Sequence, residues 1–276
     1  MNRRTLRNVA LFGATAILSL LALEGCESTG PSRQAQAPRE VVVTGPAVEV
    51  GQLQAASGCT YDYTVYRAGA GKRSVDVILA HGFLRDSDRM VDLARALADV
   101  GLTTVTLDLC NMRPWNGSHR DNAVEMRRVA DRLAGPRPIY AGFSAGGLAA
   151  LLAAAEDPDA AGVLALDLVD QAGMGRQAAA QLSMPVIGLF GDASGCNANL
   201  NGLDAVNGAP RGRVVRIGGA THCDFESPTD GLCRLVCEPD GRSQADAADR
   251  RSVIIEQAVQ AARQLADVPT SLSSVP

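Results

Sequence analysis

The sequence predicts an α/β domain built on a mostly parallel sheet with helices on both faces. Three observations point there. Short apolar runs alternate with segments of helical periodicity from about residue 61 to residue 266. That alternation requires parallel pairing and right-handed crossovers. Pro138 to Ala141 reads as a buried strand that runs into Gly142-Phe143-Ser144-Ala145-Gly146 and then into a helix of small residues, Gly147 to Glu156. There is no internal repeat and no sign of a second domain.

Taken in order, the elements are these. Residues 41–67 hold two or three short strands, Tyr61 to Arg67 among them. Val75 to Ala80 is a strand. Ser87 to Val100 reads as a helix, with Met90, Leu93, Ala94 and Leu97 at i, i+3, i+4 and i+7 and Gly101 as its stop. Thr103 to Leu109 is a strand rich in β-branched residues. Asp121 to Leu133 is a helix, with Asp121 as N-cap and Gly135 as stop. After the Ser144 segment come a strand at Gly162 to Val169, a helix around Arg176 to Leu182, and strands at Pro185 to Phe190 and Arg213 to Ile217. Val253 to Leu265 closes the domain as a helix with Ile254, Ile255, Ala258, Ala262 and Leu265 on one face.

The first 25 residues read as a targeting segment. Arg3, Arg4 and Arg7 precede an apolar stretch, Val9 to Leu23, of 15 residues. A membrane span needs roughly 20. Leu23-Glu24-Gly25-Cys26 follows and resembles a bacterial lipobox, in which cleavage precedes the cysteine and its thiol carries a diacylglycerol. Glu24 departs from the usual pattern, and an ordinary cleaved signal peptide is the alternative. Arg3-Arg4 also matches part of a twin-arginine signal. Either route implies export, with residues 26–40 as a polar flexible tether, residues 41–267 as the domain and residues 268–276 as a loose tail.

The exported chain, from Cys26, carries 23 basic against 29 acidic residues. It has no basic patch for a phosphate backbone, so no nucleic-acid partner is expected. Beyond Cys26 there are six cysteines, Cys59, Cys110, Cys196, Cys223, Cys233 and Cys237. An even count in an exported chain predicts disulfides, and the spacings alone do not choose the pairing. With three histidines in all and no second paired motif near Cys233-x-x-x-Cys237, a structural zinc site is not expected.

Gly142-x-Ser144-x-Gly146 between a strand and a helix is the context of a nucleophile elbow. The turn lifts the serine hydroxyl out of the backbone, and its strain needs neighbours without bulk, which Gly142 and Gly146 supply. A serine hydroxyl needs a base to take its proton, and the base needs a carboxylate to fix its tautomer. The candidate bases are His81, His119 and His222. His222 lies just past the last strand, whereas His119 sits in a polar loop. Asp192 ends the strand Pro185 to Gly191. Ser144, Asp192 and His222 all fall beyond carboxyl ends of parallel strands, where sites in open α/β sheets form. Asp167, Asp170 and Asp224 are rival acids, and Asp108 reads as structural.

With Ser, Asp and His in that chain order, residues 61–266 resemble an α/β-hydrolase domain of the serine-esterase kind. His81-Gly82-Phe83, directly after Val75 to Ala80, matches the superfamily's oxyanion turn. The resemblance implies catalysis by Ser144, Asp192 and His222. It also implies an oxyanion hole from the backbone N–H groups of Phe83 and Ala145, with His81 as a turn residue. No metal or organic cofactor is implied. A triad needs the Asp192 and His222 loops close together, which makes Cys196–Cys223 a plausible bridge. Its rival is Cys223 pairing with Cys233 or Cys237.

Only about 15 residues, Asp170 to Met184, separate two strands where many superfamily members insert a helical cap. The resemblance is therefore to lidless members, such as cutinases, polyester hydrolases, chlorophyllase-like proteins and dienelactone hydrolases. The last usually carry cysteine as nucleophile, which Ser144 argues against. Trp115, in the loop 111–122, either walls the site or packs on the domain. The expectation is an exported, lipid-anchored envelope esterase acting on a small-molecule or polymeric ester. The alternatives are a serine peptidase or thioesterase with the same triad, or a non-catalytic envelope lipoprotein that uses the fold to bind.

Overall fold

The computed structural model describes residues 48–69, 75–112, 118–238 and 246–267. The expected leader, the lipid site at Cys26, the tether, Trp115 and the tail at 268–276 lie outside these residues. No helix among the described residues is long and apolar enough to cross a membrane.

Eight strands form one sheet in the order β1-β2-β4-β3-β5-β6-β7-β8. β1 (Val48–Gln54) and β2 (Thr60–Tyr66) are antiparallel to each other, and β2 is antiparallel to β4 (Thr104–Leu107). The remaining neighbours are parallel: β4 with β3 (Val75–Ala80), β3 with β5 (Ala134–Phe143), then β6 (Gly162–Leu166), β7 (Val186–Phe190) and β8 (Gly212–Arg216). The inner strands read as near-continuous apolar runs because both faces are covered.

Strand alternation divides the apolar residues between two cores. Ile78, Tyr140, Val163 and Val186 point to one face, where α2 (His119–Leu133) and α3 (Ala145–Ala155) pack. Val77, Leu79, Ile139, Leu164 and Leu189 point to the other, where α1 (Val91–Asp99) and α7 (Ala247–Ala266) pack. Two short helices, α4 (Met174–Ala179) and α5 (Leu203–Gly208), complete the crossovers on the first face.

Boundaries differ from the sequence expectations in ways that have local causes. The segment 87–100 divides into a 3-10 turn at Ser87–Met90 and then α1. α2 is capped by Ser118, whose side chain accepts from the Asp121 N–H, so Asp121 lies in the first turn and is not the cap. His119 is accordingly a first-turn helix residue and not a loop residue. A further helix, α6 (Gly231–Cys237), has no counterpart in the sequence reading.

Because β3, β5, β6, β7 and β8 run parallel, their carboxyl ends share one edge of the sheet. His81, Ser144 and Asp167 follow three of those ends directly, Asp192 lies two residues past a fourth, and the segment after β8 leads to His222.

Candidate active site

Ser144 joins β5 to α3 at φ 54°, ψ −117°, a conformation that an L-residue adopts only under constraint. The constraint comes from close backbone packing. A Cβ on Gly142 would stand 2.3 Å from the carbonyl group of Gly146, and one on Gly146 would stand 2.3 Å from the His81 carbonyl oxygen. Any side chain at either position would push the turn off the sheet. The expected elbow is therefore present, with both flanking glycines sterically required.

The hydroxyl of Ser144 lies 3.1 Å from Nε2 of His222. The other ring nitrogen, Nδ1, lies 2.5 Å from Oδ2 of Asp167. An ionised carboxylate only accepts, so Nδ1 carries the hydrogen and Nε2 is left as the acceptor for the serine proton. All three side chains are buried, and Phe143 packs its ring against the imidazole at 4.6 Å between centroids.

The carboxylate at the histidine is thus Asp167 and not Asp192. Asp167 follows β6, the strand next to the one that leads to Ser144, whereas Asp192 follows β7, one strand further out. Asp192 contributes its backbone here. Its N–H donates to the Ala220 carbonyl at 2.8 Å, and its carbonyl accepts from Asn197 Nδ2 at 2.8 Å. The first bond ties the loop after β7 to the loop that carries His222, and the second braces the β7 loop internally.

Asp167 is fully buried yet well supported. Oδ1 accepts from the Gly191 N–H at 3.1 Å, and Oδ2 accepts from Asn197 Nδ2 at 3.1 Å. Asn197, also fully buried, was not anticipated; its side-chain oxygen in turn accepts from the N–H groups of Ser194 and Leu200. A buried carboxylate without such partners would cost several kcal/mol. One sequence signal pointed to Asp167: a lone acid inside the apolar run Gly162 to Val169 must find buried partners.

The other rival acids have structural duties. Asp170 accepts from the N–H groups of Gly175 and Arg176 at the start of α4. Asp224 accepts from the Thr221 N–H and pairs with Arg250 of α7, which fixes the His222 turn to that helix. Asp108 accepts from the Ser87 N–H, as its structural reading implies.

His81 is fully buried, and burial holds its pKa below the usual value. The neutral ring donates from Nδ1 to the Gly82 carbonyl at 2.8 Å and accepts at Nε2 from the Leu109 N–H at 3.1 Å. It is a turn residue, as expected. The turn passes close to Ser144: a Cβ on Gly82 would stand 3.3 Å from its Cβ. Phe83 and Ser144 line one cleft, and Ala145 is the first residue of α3, where helix N–H groups lack intrahelical acceptors.

Among the described residues three disulfides form: Cys59–Cys110, Cys196–Cys237 and Cys223–Cys233. The Cys196–Cys223 bridge is absent, and Cys223 pairs within its own loop. The reason is α6, which carries Cys233 and Cys237 over the site and meets Cys223 and Cys196 separately. Sulfurs of Cys223, Cys233 and Cys237 lie within 4.8 Å of one another, a spacing that could hold a metal ion. All three are oxidised in bridges and present no thiolate to a cation.

This topology, with the elbow after β5 and the histidine after β8, decides the fold. The chain has the α/β-hydrolase fold. Solved structures with that likeness cover most of it. They include the esterase domain of a Rhodothermus marinus protein (TM-score 0.57, 14% identity, 79% of this chain and 99% of that one). A ferulic acid esterase from Streptomyces cinnamoneus gives a TM-score of 0.62 at 16% identity over 87% and 95% of the two chains. A dienelactone hydrolase from Anabaena variabilis gives 0.58 at 18% identity over 78% and 96%. The sequence matches no protein-family model and no curated protein. Within the fold, the crossover holding α4 is short and builds no cap domain.

Proposed function

We propose that this α/β-hydrolase is a serine hydrolase that cleaves carboxylic esters through an acyl-enzyme on Ser144. One observation carries the reading: a buried chain of contacts from Ser144 Oγ to His222 Nε2, and from His222 Nδ1 to Asp167. In this reading His222 takes the serine proton as Oγ attacks the ester carbonyl. Asp167 holds the required tautomer and stabilises the imidazolium. The N–H groups of Phe83 and Ala145 receive the developing oxyanion, each worth about 3–4 kcal/mol in the transition state. His222 then gives its proton to the leaving alkoxide, which departs as the alcohol. Water, deprotonated by the same ring, releases the acid and restores Ser144.

Ester substrates are favoured over amides because the structurally similar proteins include esterases. The leader and its Leu23-Glu24-Gly25-Cys26 sequence support export and lipid attachment at Cys26 in the cell envelope. Hydrolysis of p-nitrophenyl acetate by the purified protein tests the reading. Turnover that disappears in Ser144→Ala, with the circular dichroism spectrum unchanged, supports it. Equal turnover in the variant refutes it. Radiolabelled lipid incorporation that is lost in Cys26→Ser tests the anchor.

A further inference from the structure

α6 departs from what a solvent-exposed helix ordinarily presents. Leu232, Leu235 and Val236 stand at i, i+3 and i+4, so they share one face, and all three are exposed, at 57%, 75% and 65%. Their neighbours Cys233 and Cys237 anchor the other side through the bridges to Cys223 and Cys196. The helix is too short to hold itself, and the two bridges together with the Asp230 cap fix it in place.

The exposed face leads to the nucleophile. Leu232 and Val236 line one cleft with Ser144 and His222, and Phe83 and Leu84 line the same cleft. Phe83 and Leu84 are themselves 40% and 54% exposed, so the apolar surface continues across the mouth. A contiguous apolar patch on a domain surface marks a place where an apolar group docks. The charges that reach the cleft belong to Arg85 and Glu226. They neutralise each other in a bidentate pair, with Nη2 to Oε2 at 2.8 Å. Nothing in this lining calls for a charged ligand.

The cleft volume is about 240 Å³. That lies below the roughly 300–1,000 Å³ of sites that enclose drug-sized ligands.

We infer that α6 is the specificity wall of this site. Leu232 and Val236 select esters that carry an uncharged, apolar group next to the scissile carbonyl. The inference rests on the ester-hydrolase reading and deepens it. Continuity with Ser144 identifies the occupant as part of the substrate itself. Either the acyl or the alcohol portion has the required chemistry.

The test compares the protein with a Leu232→Ser/Val236→Ser variant on two ester series. One series lengthens the acyl chain from acetyl to octanoyl with p-nitrophenol as the fixed alcohol. The other lengthens the alcohol from methyl to octyl on a fixed acetyl group. Both replaced residues are exposed, so the core is untouched. The expected result is a kcat/KM that rises with chain length in one series. The variant then loses roughly 10–100-fold on its longest member through KM, and changes less than about threefold on the shortest. The responding series identifies which portion occupies the cleft. Equal loss on short and long esters, or no dependence on length in either series, overturns the inference. Failure of the underlying reading looks different: no ester is cleaved and a fluorophosphonate leaves Ser144 unmodified.

Discussion

Replacing Asp167 by asparagine separates the two candidate acids and has a calculable consequence. The carboxylate accepts the Nδ1–H of His222 at 2.5 Å, which leaves Nε2 free to accept from Ser144 at 3.1 Å. An asparagine at 167 retains an oxygen for the Gly191 and Asn197 donors but can turn its NH2 towards the ring. The neutral imidazole then carries its hydrogen on Nε2, and the serine proton has no acceptor. In serine hydrolases this exchange lowers kcat about 10⁴-fold, or about 5.4 kcal/mol. Asp192→Asn should stay within about threefold, less than about 0.7 kcal/mol, because the carboxylate at the His222 ring is that of Asp167 and the substitution retains the backbone bonds of residue 192. The assay is kcat/KM on p-nitrophenyl acetate, with circular dichroism to verify folding. Near-normal turnover in Asp167→Asn, or a comparable loss in Asp192→Asn, would refute the reasoning.

Other consequences concern stability. Ser144→Gly should abolish turnover yet stabilise the domain by about 1 kcal/mol, since glycine adopts φ 54°, ψ −117° without strain; chemical denaturation measures it, and a destabilised variant would contradict it. Burial raises the Glu125 carboxyl to about 7. Between about 4.5 and 7 the unfolded chain is ionised while the folded one keeps its proton, so stability falls as pH rises through this window. The melting temperature relative to Glu125→Gln should therefore drop from pH 5 to pH 8, and a constant difference would disprove the linkage. His81 works in the opposite sense. The unfolded ring binds a proton below about 6.5 and the folded one resists it, so this residue costs stability as pH falls below that value. Replacing Cys59 and Cys110 with serine opens a loop of 51 residues and should cost about 4 kcal/mol in denaturant unfolding.

Much of the architecture could be read from periodicity. Val75–Ala80 is a strand at its expected bounds, and the alternation of later strands and helices fixes which ends share an edge. Gly142 and Gly146 marked the elbow because a tight strand-to-helix crossing leaves no room for Cβ atoms. The lone acid in the run Gly162 to Val169 signalled that Asp167 has buried partners, but its choice over Asp192 as the partner of His222 was not legible. Both end parallel strands, and only the lateral position of each strand and the route of the His222 loop decide which carboxylate meets the ring. Asn197 escaped notice because a buried amide in a polar loop looks like any turn residue. α6 escaped because seven residues give too little periodicity, and its position depends on bridges whose partners lie 10 and 41 residues away in sequence.

Fluorophosphonate labelling of the folded, disulfide-intact protein, with the adduct mapped by peptide mass, tests the central claim most directly. An activated serine reacts, while a fold used only for binding presents no such hydroxyl. The account predicts one adduct, on Ser144, that is absent in Ser144→Ala and forms far more slowly in Asp167→Asn. No adduct, or an adduct on a different serine, would contradict it.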